Sequence, residues 1–122
     1  MPIKTKRWND SVEESDGFRL LVCRYRPRGV RLEGEPWDEW NPDLGPSSEL
    51  HAAVYGKNGP AITFEEYSLR YLQEMQSQSE AIGTLIERVR LGETITLLCS
   101  SACWNPDRCH RTLLKNLIEG LL

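Results

Sequence analysis

Two short apolar segments, one early in the chain and one near its end, most constrain how this sequence can fold. Residues 18–25 contain the run Leu-Leu-Val-Cys, and residues 94–99 read Thr-Ile-Thr-Leu-Leu-Cys. Apolar runs of this length are typical of strands that are covered on both faces. Because helical patterns separate the two runs, we predict a parallel pair of strands joined by a right-handed crossover.

Four helix signals accompany these strands. Serines at residues 47–48 can cap a helix that runs to Tyr55, and Thr63 begins a capping-box sequence. Residues 79–92 carry apolar side chains at helical spacing and end on a glycine, a common residue just after a helix. A last helix with a leucine-rich stripe is predicted to begin at about Cys109. The chain is therefore predicted to combine strands and helices.

The predicted order of elements is β-β-α-α-α-β-α, beginning with a short edge strand at residues 3–8. Residues 30–46 contain several prolines and are predicted to form a loop with about one helical turn. A chain of 122 residues is long enough to bury a single core. We therefore predict a single α/β domain over residues 1–122, with a small, mainly parallel sheet and helices packed on it.

The composition argues against membrane and nucleic-acid partners. The net charge is −3, which does not suit a surface that binds nucleic acid throughout, and the small basic cluster at residues 4–8 is interpreted as a solvated face. No apolar run reaches the length of a membrane span, and the first residues lack a signal-peptide core. The four cysteines are therefore predicted to be reduced thiols in a cytoplasmic protein.

Charged and polar residues follow both apolar strands. The carboxyl ends of parallel strands meet at one edge of a sheet, where ligands of open α/β sheets bind. The helix that follows the second strand would add the free amides and partial positive charge of its N-terminus. We therefore predict a site for a small anion, such as a phosphate or a nucleotide-like molecule, between the two strand ends. The predicted ligand-binding residues are Arg24, Arg26, Arg28, Ser100, Ser101 and Arg111.

A purely structural role for these arginines stays open. The guanidinium fork binds phosphate or carboxylate ligands in bidentate fashion. It forms equally good ion pairs with protein acids, and Asp38, Glu39 and Asp43 are the candidates. The tryptophans present the same choice, because each can stack on the ring of a ligand or fill the core. These tryptophans are Trp8, Trp37, Trp40 and Trp104.

Cysteine chemistry is a second hypothesis. Cys109 is predicted to open the last helix beside His110, and a helix N-terminus lowers the pKa of a thiol. This pattern indicates Cys109 and His110 as catalytic residues of a sulfur- or phosphoryl-transfer enzyme. The segment from Cys103 to Arg108 lacks the glycines of a loop that cradles phosphate, and a buried, unreactive cysteine is the competing interpretation.

A zinc site is a third hypothesis. Cys99, Cys103, Cys109 and His110 contain the donors of a Cys₃His site, but their spacing differs from the usual C-x₂-C pairs. Cys99 ends an apolar strand and is interpreted as part of the core. The sequence therefore predicts no bound metal and no other cofactor. His51 is interpreted as a surface or packed side chain, and an interaction module for protein or nucleic acid is the remaining alternative.

Several segments together form a recognisable set. They are FRLLVCRYRPRG (residues 18–29), WDEW (37–40), GPSSEL (45–50), FEEY (64–67), TITLLC (94–99) and CHR (109–111). In this order they resemble a bacterial and archaeal family known as domain of unknown function 488 (DUF488). The resemblance spans most of the chain and implies a compact α/β domain, without assigning an activity. Family members usually carry Asp at the position of Cys23 and Trp at that of Arg26, so this chain has an additional guanidinium that favours anions.

Overall fold

A four-stranded sheet with all strands parallel lies at the centre of the computed structural model, which describes residues 3–57, 59–103 and 105–122. The described part of the chain thus has the α/β fold that the sequence predicts. The strands are β1 (Ile3–Arg7), β2 (Phe18–Leu21), β3 (Glu39–Trp40) and β4 (Ile95–Cys99). The helices are α1 (Ser48–Val54), α2 (Phe64–Met75), α3 (Ser79–Arg90) and α4 (His110–Leu121).

The two apolar strands are neighbours, as predicted. The strand order is β1-β4-β2-β3, so β4 lies between β1 and β2. Phe18 of β2 and Ile3 of β1 both pair with Ile95 at the start of β4. The three strands therefore run in step, and the segments that follow them emerge at the same edge of the sheet.

Two strand predictions needed correction. The early strand was predicted to reach Tyr25, but β2 ends at Leu21, with only the Val22 amide still bonded to the Leu98 carbonyl at 2.9 Å. The loop predicted at residues 30–46 contains the two-residue strand β3, which pairs with the end of β2. Two residues are too few to show an alternating pattern, so no sequence signal marks this strand.

The two faces of the sheet are covered differently. All four helices contribute to the core on one face, where Leu20, Ile95 and Leu97 pack against residues such as Tyr71 and Leu114. The other face is covered mainly by loop residues around Trp8 and Trp37, together with the four cysteines. This second core lies beside the carboxyl end of β4.

The helix boundaries follow the local signals. The Ser47 hydroxyl accepts from the Leu50 amide at 3.1 Å, and the Thr63 hydroxyl accepts from the Glu66 amide at 3.1 Å. Gly92 has φ 95° just after α3, a conformation that glycine adopts without steric cost. No helix in the described ranges is both long and apolar enough to cross a membrane.

Candidate functional site

A cavity of about 320 Å³ opens at the carboxyl edge of the sheet, between the segments that follow β2 and β4 and the helices α1 and α2. The segments after the two strands were predicted to meet, and they do. The His110 ring at the start of α4 lies 2.7 Å, through Nε2, from the Val22 carbonyl oxygen after β2. The residues lining the cavity are Cys23, Arg24, Tyr25, Pro46, His51, Val54, Tyr55, Phe64, Tyr67, Cys99, Ser100, Cys103, Arg108, Cys109 and His110.

The three predicted arginines after β2 take different directions. Arg24 lines the cavity, and its Nε donates to the Pro46 carbonyl at 2.7 Å. Arg26 forms an ion pair with Glu35 at 2.7 Å. Arg28 is exposed and lines a smaller, adjoining cavity instead. These arginines therefore do not converge on one point, and only Arg24 faces the main cavity.

The other predicted ligand-binding residues are also divided. Ser100 lines both cavities, whereas Ser101 lines only the smaller one. Arg111 lines neither cavity and is only 4% exposed. Its Nε and Nη1 are buried and have no hydrogen-bond partner within the described ranges. That these six residues bind a ligand stays a prediction, and the geometry favours Arg24 and Ser100 for direct contact.

Three thiols converge on the floor of the cavity. Cys99 ends β4, Cys103 lies in the loop that follows, and Cys109 is the N-cap residue of α4. Each pair of their Sγ atoms is within 4.8 Å, and the Cys99 thiol donates to Cys103 Sγ at 3.4 Å. Cys99 and Cys109 are buried and Cys103 is half-buried. The fourth cysteine, Cys23, also lines the cavity but lies outside this three-sulfur group.

The three thiols differ in acidity, and the prediction for Cys109 was wrong. The sequence predicted a lowered pKa for Cys109, but hydrogen bonding with Cys103 and Cys99, together with burial, raises the pKa of its thiol. Bonds from Cys109 and Cys99 lower the pKa of Cys103, and the positive charge of Arg111 acts in the same direction. Cys103 is thus the thiol whose pKa is lowered, and it is also the most accessible of the three.

His110 supplies a neutral imidazole beside the thiols. Burial lowers its pKa, against the opposing effect of its bond with Val22. The Val22 carbonyl can only accept, so Nε2 must carry the proton and Nδ1 keeps a lone pair. Nδ1 lies 3.8 Å from Cys99 Sγ and 4.0 Å from Cys109 Sγ. The Nδ1 atom of His110 can thus accept a hydrogen bond from a neighbouring thiol.

The aromatic wall of the cavity comes from residues that the sequence did not indicate. The centroid of the His51 ring lies 5.2 Å from that of the Tyr25 ring and 4.7 Å from that of the Tyr55 ring. Both tyrosines are more than half exposed. Arg108 lies at the cavity with its guanidinium 6.0 Å from the Phe64 ring. His51 was interpreted as a surface or packed side chain. Only the packing of α1 over the strand ends brings it to the cavity.

The predicted tryptophans take other roles. Trp37 is buried in the second core with Trp8 packed edge-on at 6.1 Å. The Trp40 indole donates to the Cys23 carbonyl at 2.8 Å, which ties the loop before α1 to the end of β2. Trp104 lies outside the described residues.

Comparison with known proteins identifies the family. The chain is 35% identical to the uncharacterized protein YeaO of Escherichia coli K12, over 99% of this chain and all of that protein. It is 25% identical to the uncharacterized protein Rv3073c of Mycobacterium tuberculosis, over 97% of this chain and 94% of the relative. No solved structure matches the chain. Residues 3–121 match the family profile described as the active DUF488-N3 subclade, so the chain belongs to the DUF488 family.

Proposed function

We propose that the cavity binds a small molecule that carries an anionic group and a planar ring, such as a nucleotide-like phosphate. The observation that carries this proposal is the charge of the cavity wall. Arg24 and Arg108 line it, and none of the described residues lining it is a carboxylate. A wall of this charge favours an anion and disfavours a cation.

The charge of the wall rests on the two arginines. Burial lowers the pKa of His51 and also that of His110, so both imidazoles are neutral at pH 7. The Arg24 side chain is only 26% exposed, and its bond to the Pro46 carbonyl holds it in place. Asp43 lies 3.9 Å from Arg24, beyond a direct hydrogen bond, so this guanidinium still has donors for a ligand.

The exposed aromatic rim supports a ligand that contains a ring. Tyr25 and Tyr55 flank His51 at the entrance, and their exposed faces resemble surfaces on which planar groups stack. Phe64 and Tyr67 continue this wall inward and stack at 5.8 Å. An anionic group near the arginines would place an attached ring against these side chains.

Calorimetric titration with inorganic phosphate and with adenosine monophosphate tests the proposal. We expect Arg108→Ala to weaken binding about 10- to 100-fold, because a hydrogen bond to a charged group contributes about 1.5–3 kcal/mol. Arg70→Ala is the matched control, since Arg70 is half exposed on α2 and pairs with Glu66. Equal affinities for the two variants, or no binding of either probe to the wild type, would contradict the proposal.

Cysteine-dependent group transfer is a second candidate, supported by the half-buried Cys103 thiol in the cavity wall. The subclade whose profile matches the chain is described as active. Turnover of phosphate esters, nucleotides and thiosulfate should then disappear in Cys103→Ser. Equal turnover in wild type and Cys103→Ser would exclude this candidate. A cytoplasmic location, where cysteines stay reduced, is part of this proposal.

A further inference from the structure

We propose that Cys99, Cys103 and Cys109 bind one Zn²⁺ ion, contrary to the expectation from sequence that the protein holds no metal. Thiolates are preferred ligands of zinc, with Zn–S distances of about 2.3 Å. In a tetrahedral site this distance separates neighbouring sulfurs by about 3.8 Å. The observed Sγ atoms are all within 4.8 Å of one another, with Cys99 and Cys103 at 3.4 Å, so small side-chain adjustments suffice.

The architecture brings the three sulfurs together from separate elements. The end of a buried strand, the loop after it and the N-cap of a helix each contribute one ligand. Cys99 and Cys109 are 2% and 3% exposed, and the second core packs Trp8 and Trp37 in the same cluster. This apolar surrounding excludes water from one side of the sulfurs, while the cavity provides a path for the ion. Rigid placement of this kind is what a metal site requires.

The charges around the sulfurs fit a bound ion. Three thiols release three protons on binding Zn²⁺, so the centre carries one negative charge. Arg111 lies two residues after the proposed ligand Cys109 and is 4% exposed. Two of its guanidinium nitrogens are buried and have no hydrogen-bond partner in the described part of the chain. Its positive charge can compensate the negative charge of the zinc centre, because no acid among the described residues forms an ion pair with it.

The fourth position of the zinc would face the cavity. The group whose donor atoms all lie within 4.8 Å of one another contains the three sulfurs and does not include His110. Zinc with three protein ligands and one open position is the arrangement of catalytic rather than structural sites. If the proposed function is correct, the anionic group of the ligand would occupy this position. The zinc site itself does not depend on that function.

Elemental analysis of protein purified with a reducing agent and without chelator tests the site. We expect one zinc per chain in the wild type and in Cys23→Ser, the matched control outside the three-sulfur group. Cys103→Ser and Cys109→Ser should bind zinc about 100-fold or more weakly, because the loss of an outer-shell partner alone costs about 10- to 100-fold. Circular dichroism of each variant separates loss of metal from loss of fold.

Cobalt binding provides a readout that does not depend on how much metal the protein retains during purification. Metal-free wild type titrated with Co²⁺ should develop thiolate-to-cobalt charge-transfer absorption that saturates at one ion per chain, and Cys103→Ser should not. A wild type that binds neither ion at micromolar concentrations would overturn the proposal, as would equal zinc binding by Cys103→Ser and Cys23→Ser. Zinc binding without phosphate binding would contradict the proposed function and leave the zinc site standing.

Discussion

Two clusters of buried polar groups within the described residues differ in how their charges are balanced. In the first cluster, Asp16 is fully buried and its carboxylate lies 2.8 Å from Lys4 Nζ and 2.9 Å from Lys6 Nζ, with Arg19 also bonded to it. In the second, three thiols lie together without an acid, beside the buried Arg111. The first cluster has its opposite charges already in place. In the second cluster, two nitrogens of Arg111 have no hydrogen-bond acceptor among the described residues, and the thiols line a cavity.

We infer that this difference separates a structural cluster from a functional one. Burial alone would raise the pKa of Asp16, but hydrogen bonds from Lys4, Lys6 and the Glu13 amide outweigh it and lower the pKa well below its usual 3.8. We therefore assign the Asp16 carboxylate a role in stabilising the fold. A cluster of thiols gains little by itself and becomes stable when an ion or ligand binds.

The largest effect is expected at Asp16. Asp16→Ala leaves Arg19, whose side chain is 5% exposed, as a buried charge without its partner, and such changes cost about 3–5 kcal/mol. Urea denaturation of the variant checks this value. Glu13→Ala is the control, because Glu13 also pairs with Lys6 but its side chain is 59% exposed. A loss for Asp16→Ala no greater than that for Glu13→Ala would show that the first cluster is not structural.

Most of the fold could be predicted because its signals are local. The caps at Ser47 and Thr63, the glycine after α3 and the two apolar runs each depend on a few neighbouring residues. The short strand β3 could not be predicted, because it forms only through its pairing with β2. Lys4 and Lys6 were interpreted as solvated, since the sequence does not reveal that Asp16 folds back against them.

The sequence predicted the position of the cavity and named several of the residues that line it, but not how closely three of its thiols approach one another. The strand order brings the residues after β2 and β4 together, which the sequence implies. The convergence of Cys99, Cys103 and Cys109 depends on the path of the loop between them, and their spacing matches no common motif. His51 reaches the cavity through the packing of α1, a tertiary contact that no local pattern encodes.

Added zinc should produce the next largest effect. An ion that binds only the folded state stabilises it by about 2.7 kcal/mol at a concentration 100 times its Kd. We therefore expect zinc to raise the urea midpoint of the wild type and not that of Cys103→Ser. Because Cys103 is half-buried, the two metal-free proteins should have similar stability. A similar gain from zinc in both proteins would place the ion elsewhere.

The smallest effect is the pH dependence of the first cluster. Since the folded pKa of Asp16 is depressed, its contribution is complete above the unfolded value near 3.8 and is lost as the pH falls below it. The difference in unfolding free energy between wild type and Asp16→Ala should be constant from pH 5 to 7. Below about pH 4 it should shrink by up to about 1.4 kcal/mol per pH unit. A difference that stays constant in acid would exclude the proposed ion pairs.

X-ray diffraction at the zinc absorption edge, on crystals grown with zinc and phosphate, tests the central claim most directly. The claim is that the second cluster is the functional site and that its three sulfurs bind a metal ion. We predict one strong anomalous peak about 2.3 Å from the Sγ atoms of Cys99, Cys103 and Cys109, with the fourth position directed into the cavity. Ordered density for the three thiols with no peak between them would contradict the account.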